Sequence, residues 1–416
     1  MLLNDRSALP DDLEQAVLVG RAWCPDLGAP RPVAVIGGEL LDVSPAALTT
    51  STLLEQPEIG LRLKKAAANL PRLAGLDSVL ANSAFDRRDP STPWLIAPCD
   101  LQAVKASGVT FVESLLERVI EERSGGDASR ADEVRARVMS ALGDRLASVR
   151  PGSEQADAVR QVLIQEGMWS QYLEVGIGPD AEIFTKAQPM SAVGTGSEIG
   201  IHENSQWNNP EPEIVLAVTS RAEIVGAALG NDVNLRDFEG RSALLLGKAK
   251  DNNASASIGP FIRLFDSTFG LDDVRAAELS LRVEGTDGYV LTGASSMKRI
   301  SRDPSELVAQ AMGPHHQYPD GMMLYLGTLF APTADRNVPG QGFTHQIGDT
   351  VTISSPRFGA LVNTVNYSHR IAPWEFGFGA LLASILRGHI GKAESYPLHC
   401  RGSADLSLNI SGHGSG

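Results

Sequence analysis

The stretch Trp207-Asn208-Asn209-Pro210-Glu211-Pro212-Glu213-Ile214-Val215-Leu216-Ala217-Val218 joins an acidic pair to an apolar run. Residues two apart in extended backbone point to one side, so Glu211 and Glu213 project together. Pro212 fixes its own φ and holds Glu211 extended, which stiffens the arrangement. Two carboxylates so placed repel each other unless one takes up a proton or a cation lies between them. A lone Glu-x-Glu is more often a solvated strand start, so a second feature is required. It follows the next apolar run, Ile224–Leu229, as Gly230-Asn231-Asp232-Val233-Asn234-Leu235-Arg236-Asp237. A strand, a turn and a return strand bring Asp232 back beside Glu211 and Glu213. Three carboxylates with no nitrogen or sulfur ligand suit Mg²⁺ or Mn²⁺, which keep octahedral positions for water and a chelating substrate. Arg236 and Asp237 read as a structural ion pair. Lys248 and Lys250 come next; a lysine beside a divalent cation is electrostatically costly and its pKa is pushed down. For either lysine alone, an ordinary surface residue is the plainer reading.

Working outward, short apolar runs broken by Gly, Asn and Asp predict strands at Leu279–Val283, Met322–Leu326 and Val351–Ile353. Similar runs nearer the start are Ala16–Val19, Val33–Ile36 and Leu40–Val43. Between Thr110 and Gly167 the texture turns helical. Phe111, Leu115, Leu116, Val119 and Ile120 recur before Gly125-Gly126, then Val134, Val138 and Leu142, then Val159, Val162 and Leu163 after Pro151. Each segment has one apolar stripe and a charged face, which predicts a helical insertion over about residues 110–170. Asp303, Pro304 and Glu306 predict a helix start closed by a capping box. The expected organisation is a small N-terminal α+β domain, 1–105, and a catalytic domain, 106–416; the class is α+β, mainly β.

Lys and Arg total 36 against 50 Asp and Glu, a net charge of −14, which disfavours nucleic-acid and anionic-membrane partners. Cys24, Cys99 and Cys400 contain no CxxC pair, which excludes a disulfide framework and a thiolate zinc site. The opening residues lack a signal-peptide pattern, and the apolar run Phe378–Leu386 is too short to span a bilayer. A soluble, cytoplasmic protein with a small-molecule partner is expected. Gly194-Thr195-Gly196-Ser197-Glu198-Ile199-Gly200 lacks one glycine of a dinucleotide loop and reads as a β-turn. His315 and His316 point apart if extended, and read as loop residues.

Taken in order, Pro210–Glu213, Asn231–Asp237, Lys250 ten residues before Pro260, Leu326–Pro332 and Ile347–Val351 resemble the fumarylacetoacetate hydrolase superfamily over roughly Gly108 to Val362. The resemblance implies a mixed, strongly bent β-sandwich roll. It also implies that Glu211, Glu213 and Asp232 hold Mg²⁺ and that Thr328 contacts a substrate carboxylate. Hydrolytic members carry a His–Glu dyad after a segment here replaced by Gly108-Val109-Thr110-Phe111, and no histidine occurs between Gly108 and Ile201. That segment and Glu182-Ile183-Phe184-Thr185-Lys186 are instead similar to the dehydratase branch, which acts on 2-keto-3-deoxy sugar acids. There the residues matching Glu182 and Lys250 are the acid–base pair. The stretch ending Trp169–Glu174 is similar to pentonate-specific members, which implies Mg²⁺-dependent formation of 2,5-dioxopentanoate. Lys186, Ser114 and Arg118 are candidate substrate contacts, with a solvated helix face as the other reading of Ser114, Glu117 and Arg118. Two other functions stay open: hydrolysis of an acylpyruvate C–C bond, and silent ligand binding. A homodimer or homotetramer is the expected assembly.

Overall fold

The computed structural model describes residues 8–146, 149–328, 330, 332, 334–336, 339 and 342–393. Cys400 and the polar tail Ser411–Gly416 lie outside them. In chain order the strands are β1 Val17–Cys24, β2 Ala29–Ile36, β3 Glu39–Asp42, β4 Arg72–Ala74, β5 Trp94–Ile96 and β6 Ala103–Ser107. After a helical stretch come β7 Ile183–Ala187, β8 Glu198–Ile201, β9 Asn208–Asn209, β10 Pro212–Val218, β11 Ile224–Asp232 and β12 Asn234–Leu235. The last six are β13 Ala256–Leu264, β14 Glu278–Glu284, β15 Val290–Ser296, β16 Met322–Tyr325, β17 Thr350–Ser355 and β18 Gly359–Tyr367.

One large sheet runs β4-β3-β2-β1-β13-β11-β10-β16-β6-β7, with β5 joined to β1. A smaller sheet runs β15-β14-β17-β18-β8. Pairing is antiparallel except at β16/β6 and β18/β8. The sheets face each other through alternate side chains, as period-two strands require. Ile214 and Leu216 of β10, Leu229 of β11 and Leu324 of β16 meet Leu281 of β14, Ile353 of β17 and Leu361 of β18 in one buried core. On the other face of β10, Val215 and Ala217 join a second core with Val17, Val19, Ile258 and Tyr325, covered by Leu53 and Leu63 of two short helices. Every residue of β10, β11 beyond Val225, and β13 is buried. This is the α+β, mainly β architecture read from the strand and helix patterning.

The chain segment before residue 105 contributes strands to the same sheet as the rest: Leu18 of β1 lies opposite Arg263 of β13. Arg263 also grips the Asp12 carboxylate through two contacts of 2.6 Å. The division at residue 105 is therefore a proposal about folding units inside a shared sheet.

The helices sit where their periodicity places them, at Val112–Ser124, Ala131–Leu146 and Glu154–Gln165. The first ends at Gly125, whose φ of +66° supplies the left-handed cap and whose N–H reaches the Glu121 and Glu122 carbonyls. It differs from a one-stripe surface helix: Leu115, Leu116, Val119 and Ile120 pack into the helical core while Ser114, Arg118 and Glu121 are buried on another side. Asp303 caps the helix Pro304–Ala311 by accepting from the Ser305 N–H. Glu306 does not close a capping box; it turns to Arg302 at 2.9 Å, because that buried guanidinium offers a stronger partner than a backbone amide.

Candidate active site

The acidic end of the site is built by strand register. In the β10/β11 pair Pro212 lies opposite Asn231 and Glu213 opposite Gly230. The Asp232 N–H donates to the Glu211 carbonyl at 3.0 Å, and the Asn231 side chain accepts from the Glu211 N–H at 3.0 Å. β11 thus carries Asp232 back beside Glu211, with the reversal made earlier, around Thr219–Glu223. Ligand oxygens of Glu211, Glu213 and Asp232 lie within 4.8 Å of one another, and all three residues are buried.

Their counter-charges are unequal. Lys250 places Nζ 2.6 Å from Glu211 and 3.1 Å from Asp232. Lys186 places Nζ 2.8 Å from the other Asp232 oxygen. Burial alone would raise the Asp232 pKa, but the two ammonium groups overcome it and hold the carboxyl below its ordinary value. Among the described residues, Glu213 accepts only the Gly327 N–H, at 2.8 Å. Burial, with Asp232 and Glu211 adding repulsion, lifts its pKa well above the usual carboxylate range. One divalent cation shared by the three carboxylates supplies the charge that Glu213 lacks, and an oxygen-only set is what Mg²⁺ takes. Gly327 has φ +93°, and a Cβ there would sit 2.1 Å from Thr110 Oγ1, so only glycine delivers that amide.

Burial pushes the Lys250 pKa down, yet Asp232, Glu211 and Glu239 outweigh burial and raise it, so the lysine stays charged. Lys186 does not reach the cavity as a substrate contact would. Its fully buried ammonium lies behind Asp232, donating to the Lys250 carbonyl at 2.6 Å and the Val233 carbonyl at 3.2 Å.

Ser114 and Arg118, one helical turn apart, do face the cavity, as do Thr328, Phe184 and Glu182. Arg118 is buried and paired to Glu211, to Glu121 at 2.7 Å and to Glu239 at 3.3 Å. Glu117, on the same helix, points elsewhere and binds Arg135 at 2.7 Å and Arg236 at 2.8 Å. Arg236 therefore pairs with Glu117 and Glu121 rather than Asp237, which instead accepts from Ser205 and the Gln206 N–H. Helix-borne carboxylates outcompete a sequence neighbour whose backbone geometry aims it away. Thr328 donates to the Phe330 carbonyl at 3.0 Å, and Ser114 donates to the Thr328 carbonyl at 3.2 Å. His315 and His316 are exposed turn residues, and Gly194–Gly200 leads through a turn into β8.

Glu182 immediately precedes β7 and packs on Gly108, where a Cβ would fall 1.8 Å from its carboxylate. The Gly108 N–H also donates to the Glu182 carbonyl at 3.0 Å. Burial raises the pKa of this acid, partly opposed by Arg118 and Lys250, while the residue as a whole is only half-buried because it borders open space. It is thus a carboxylate free to exchange a proton.

Two residues of the site escaped the sequence reading. Glu239 closes the short helix Arg236–Glu239 and lines the cavity. Its signal was Arg236-Asp237-Phe238-Glu239, one helical turn past the Asp232 strand. Tyr172, buried on the helix Gln171–Ile177, is the other; burial and then Glu239 raise its pKa. Burial pushes the Glu239 pKa up to about 7, against the pull of Arg118 and Lys250. An acid with a raised folded pKa loses stability as pH rises from its unfolded value toward the folded one. Metal-free Glu239→Gln protein should therefore be more stable than the parent at pH 8, by on the order of 3 kcal/mol. The difference should shrink below pH about 5, as read by urea melts across that range.

Residues 165–366 match the profile of the fumarylacetoacetate hydrolase C-terminal domain. A probable 2-keto-3-deoxyxylonate dehydratase of Haloferax volcanii is 32% identical over 201 residues, 48% of this chain and 65% of that protein. The 2-dehydro-3-deoxy-D-arabinonate dehydratase of Saccharolobus solfataricus is 27% identical over 190 residues, 46% of this chain and 60% of that protein. The chain thus covers less than two thirds of the length of either relative. Among solved structures, apo 2-keto-3-deoxy-D-arabinonate dehydratase superposes with a TM-score of 0.58 at 19% identity, over 84% of this chain and 99% of that one. The same enzyme complexed with magnesium and 2,5-dioxopentanoate gives a TM-score of 0.56 at 19% identity, again over 84% and 99%. The fold is shared with these proteins, and residues 165–366 are similar to the C-terminal domain of the fumarylacetoacetate hydrolase family.

Proposed function

We propose that this protein is a hydro-lyase that dehydrates a 2-keto-3-deoxypentonate, of the 2-keto-3-deoxy-D-xylonate type, to 2,5-dioxopentanoate with Mg²⁺. The observation that carries the reading is a buried Glu211–Glu213–Asp232 cluster sharing a cavity with Lys250 and Glu182, while no described histidine lines it. A water-activating His–Glu pair, which C–C hydrolysis needs, has no counterpart among those lining residues. A silent binding protein has no physical reason to keep three mutually repelling acids together. The names of the two relatives and the magnesium-bound structure support the same substrate class.

Glu211, Glu213 and Asp232 would hold the cation, and when bound it draws electron density from the C1 carboxylate and C2 carbonyl oxygens, acidifying C3. Glu182 takes a proton from C3; its carboxylate makes no ion pair or hydrogen bond among the described residues, so its raised pKa suits a base working near neutrality. The C4–O bond then breaks and the oxygen leaves as water after receiving a proton from protonated Glu182 or from Lys250. A hydrogen moves from C5 to C3, leaving a C4=C5 enol, and loss of the enol hydroxyl proton with protonation of C4 gives the C5 aldehyde. Lys250, which donates to Glu211 and Asp232, stabilises negative charge on the reacting oxygens. Arg118 and Ser114 bound the opposite wall, and Thr328 lies beside the Glu213 end.

Incubation with Mg²⁺ and either 2-keto-3-deoxy-D-xylonate or an acylpyruvate decides between dehydratase and hydrolase. Formation of 2,5-dioxopentanoate from the first, and no pyruvate from the second, is the expected result; pyruvate release alone would reverse it.

A further inference from the structure

The space between the acidic cluster and Glu182 is too small for a five-carbon acid. It measures about 20 Å³, room for about one or two waters. Beyond Glu182 lies a second cavity of about 170 Å³, which reaches the surface between the helix Gln171–Ile177 and the turn leading to Leu246. Glu182 is the residue that lines both spaces. Their walls differ in kind. The first gathers the charged groups, with Val109 and Phe184 beside them, whereas the second is formed by Val175, Ala243 and Leu246 with the Tyr172 ring and Gln171.

We infer that the second cavity is the subsite for C4 and C5 of the substrate, with Leu246 and Val175 as its limiting walls; this rests on the reading under Proposed function. With C1 and C2 held at the carboxylate cluster and C3 against Glu182, the second cavity is the space that adjoins the same residue on its other side. The two walls come from separate elements. Leu246 opens the helix that ends at Lys250. Val175 lies one turn beyond Tyr172 on a helix capped by the Ser170 hydroxyl, which accepts from Leu173. Each further –CHOH– group would press a hydroxyl against Val175 or Leu246 without a partner. A short tail is the chemistry this space accepts. The placement also explains how one carboxylate can serve both ends of the reaction, because the hydrogen that leaves C5 and returns to C3 crosses the wall that Glu182 forms.

The test fills the cavity from each side, with Leu246→Trp and Val175→Phe, in Mg²⁺-loaded protein. The ligands are pyruvate, which ends at C3, and 2-oxopentanoate, which has the full chain but no C4 hydroxyl to lose. In both variants the calorimetric Kd for 2-oxopentanoate should rise about tenfold or more, while that for pyruvate stays within about twofold. Equal weakening of both ligands, or of neither, in the two variants overturns the assignment. Failure of the underlying reading looks different: the unmodified protein would then not exchange the methyl hydrogens of pyruvate with D₂O in the presence of Mg²⁺.

Discussion

Glu182→Gln should lose dehydratase turnover by about 10²–10⁴-fold, the range for removing a positioned general base. Mg²⁺ affinity should change little, because Glu182 is separate from the Glu211–Glu213–Asp232 cluster and touches none of its cations directly. The amide keeps the size of the acid and its fit against Gly108 but cannot accept the C3 proton. The parent's pH profile provides a second handle. A base acts only when ionised, so kcat/KM should fall as pH drops through the Glu182 pKa, which burial places above the ordinary carboxylate value. The variant's residual rate should lack that acidic limb. Full activity in Glu182→Gln would remove the residue from the chemistry and leave the raised pKa without a function.

Lys186→Met should be the most destabilising single change in the site. Lys186 has no exposed surface, and its ammonium satisfies Asp232 and two backbone carbonyls. Breaking a buried ion pair from one side leaves an uncompensated charge and typically costs about 3–5 kcal/mol. Lys250 remains on Asp232 and limits the loss, yet it is already shared with Glu211. Saturating Mg²⁺ should restore part of the stability, about 2.7 kcal/mol at a hundred times Kd, by replacing the missing positive charge. Lys248→Met, on an exposed lysine, is the control and should shift stability by less than about 0.5 kcal/mol. Equal urea midpoints for the two variants would mean that Lys186 is not the counter-ion the geometry makes it.

The acidic cluster was legible because it rests on local rules. Glu-Pro-Glu fixes two side chains on one face, and the return strand supplies Asp232 by register. Ser114 and Arg118 were legible as a helical pair, though not as buried residues. What hid them was distance along the chain: Glu211 and Glu239 arrive from far downstream to join Glu121 in neutralising the buried Arg118. Lys186 was read as a substrate contact and lies instead behind Asp232, since nothing in a strand pattern tells whether a lysine ammonium meets the cavity or a buried carboxylate. The joining of β1 to β13 is equally invisible locally, because strand pairing across some 240 residues leaves no periodic trace in either segment. Glu239 carried a cue, its position on the turn after Asp232, that only burial turns into a site residue.

The proposed chemistry centres on a divalent cation held by three carboxylates, and its placement can be read directly. Crystals grown with Mn²⁺ and measured at the manganese absorption edge should show one anomalous peak within about 2.0–2.3 Å of Glu211, Glu213 and Asp232 oxygens. Glu213→Gln crystals prepared alike should show that peak weakened or gone. A peak elsewhere, or none under saturating Mn²⁺ in the unmodified protein, would contradict the metal site and the dehydratase reading built on it.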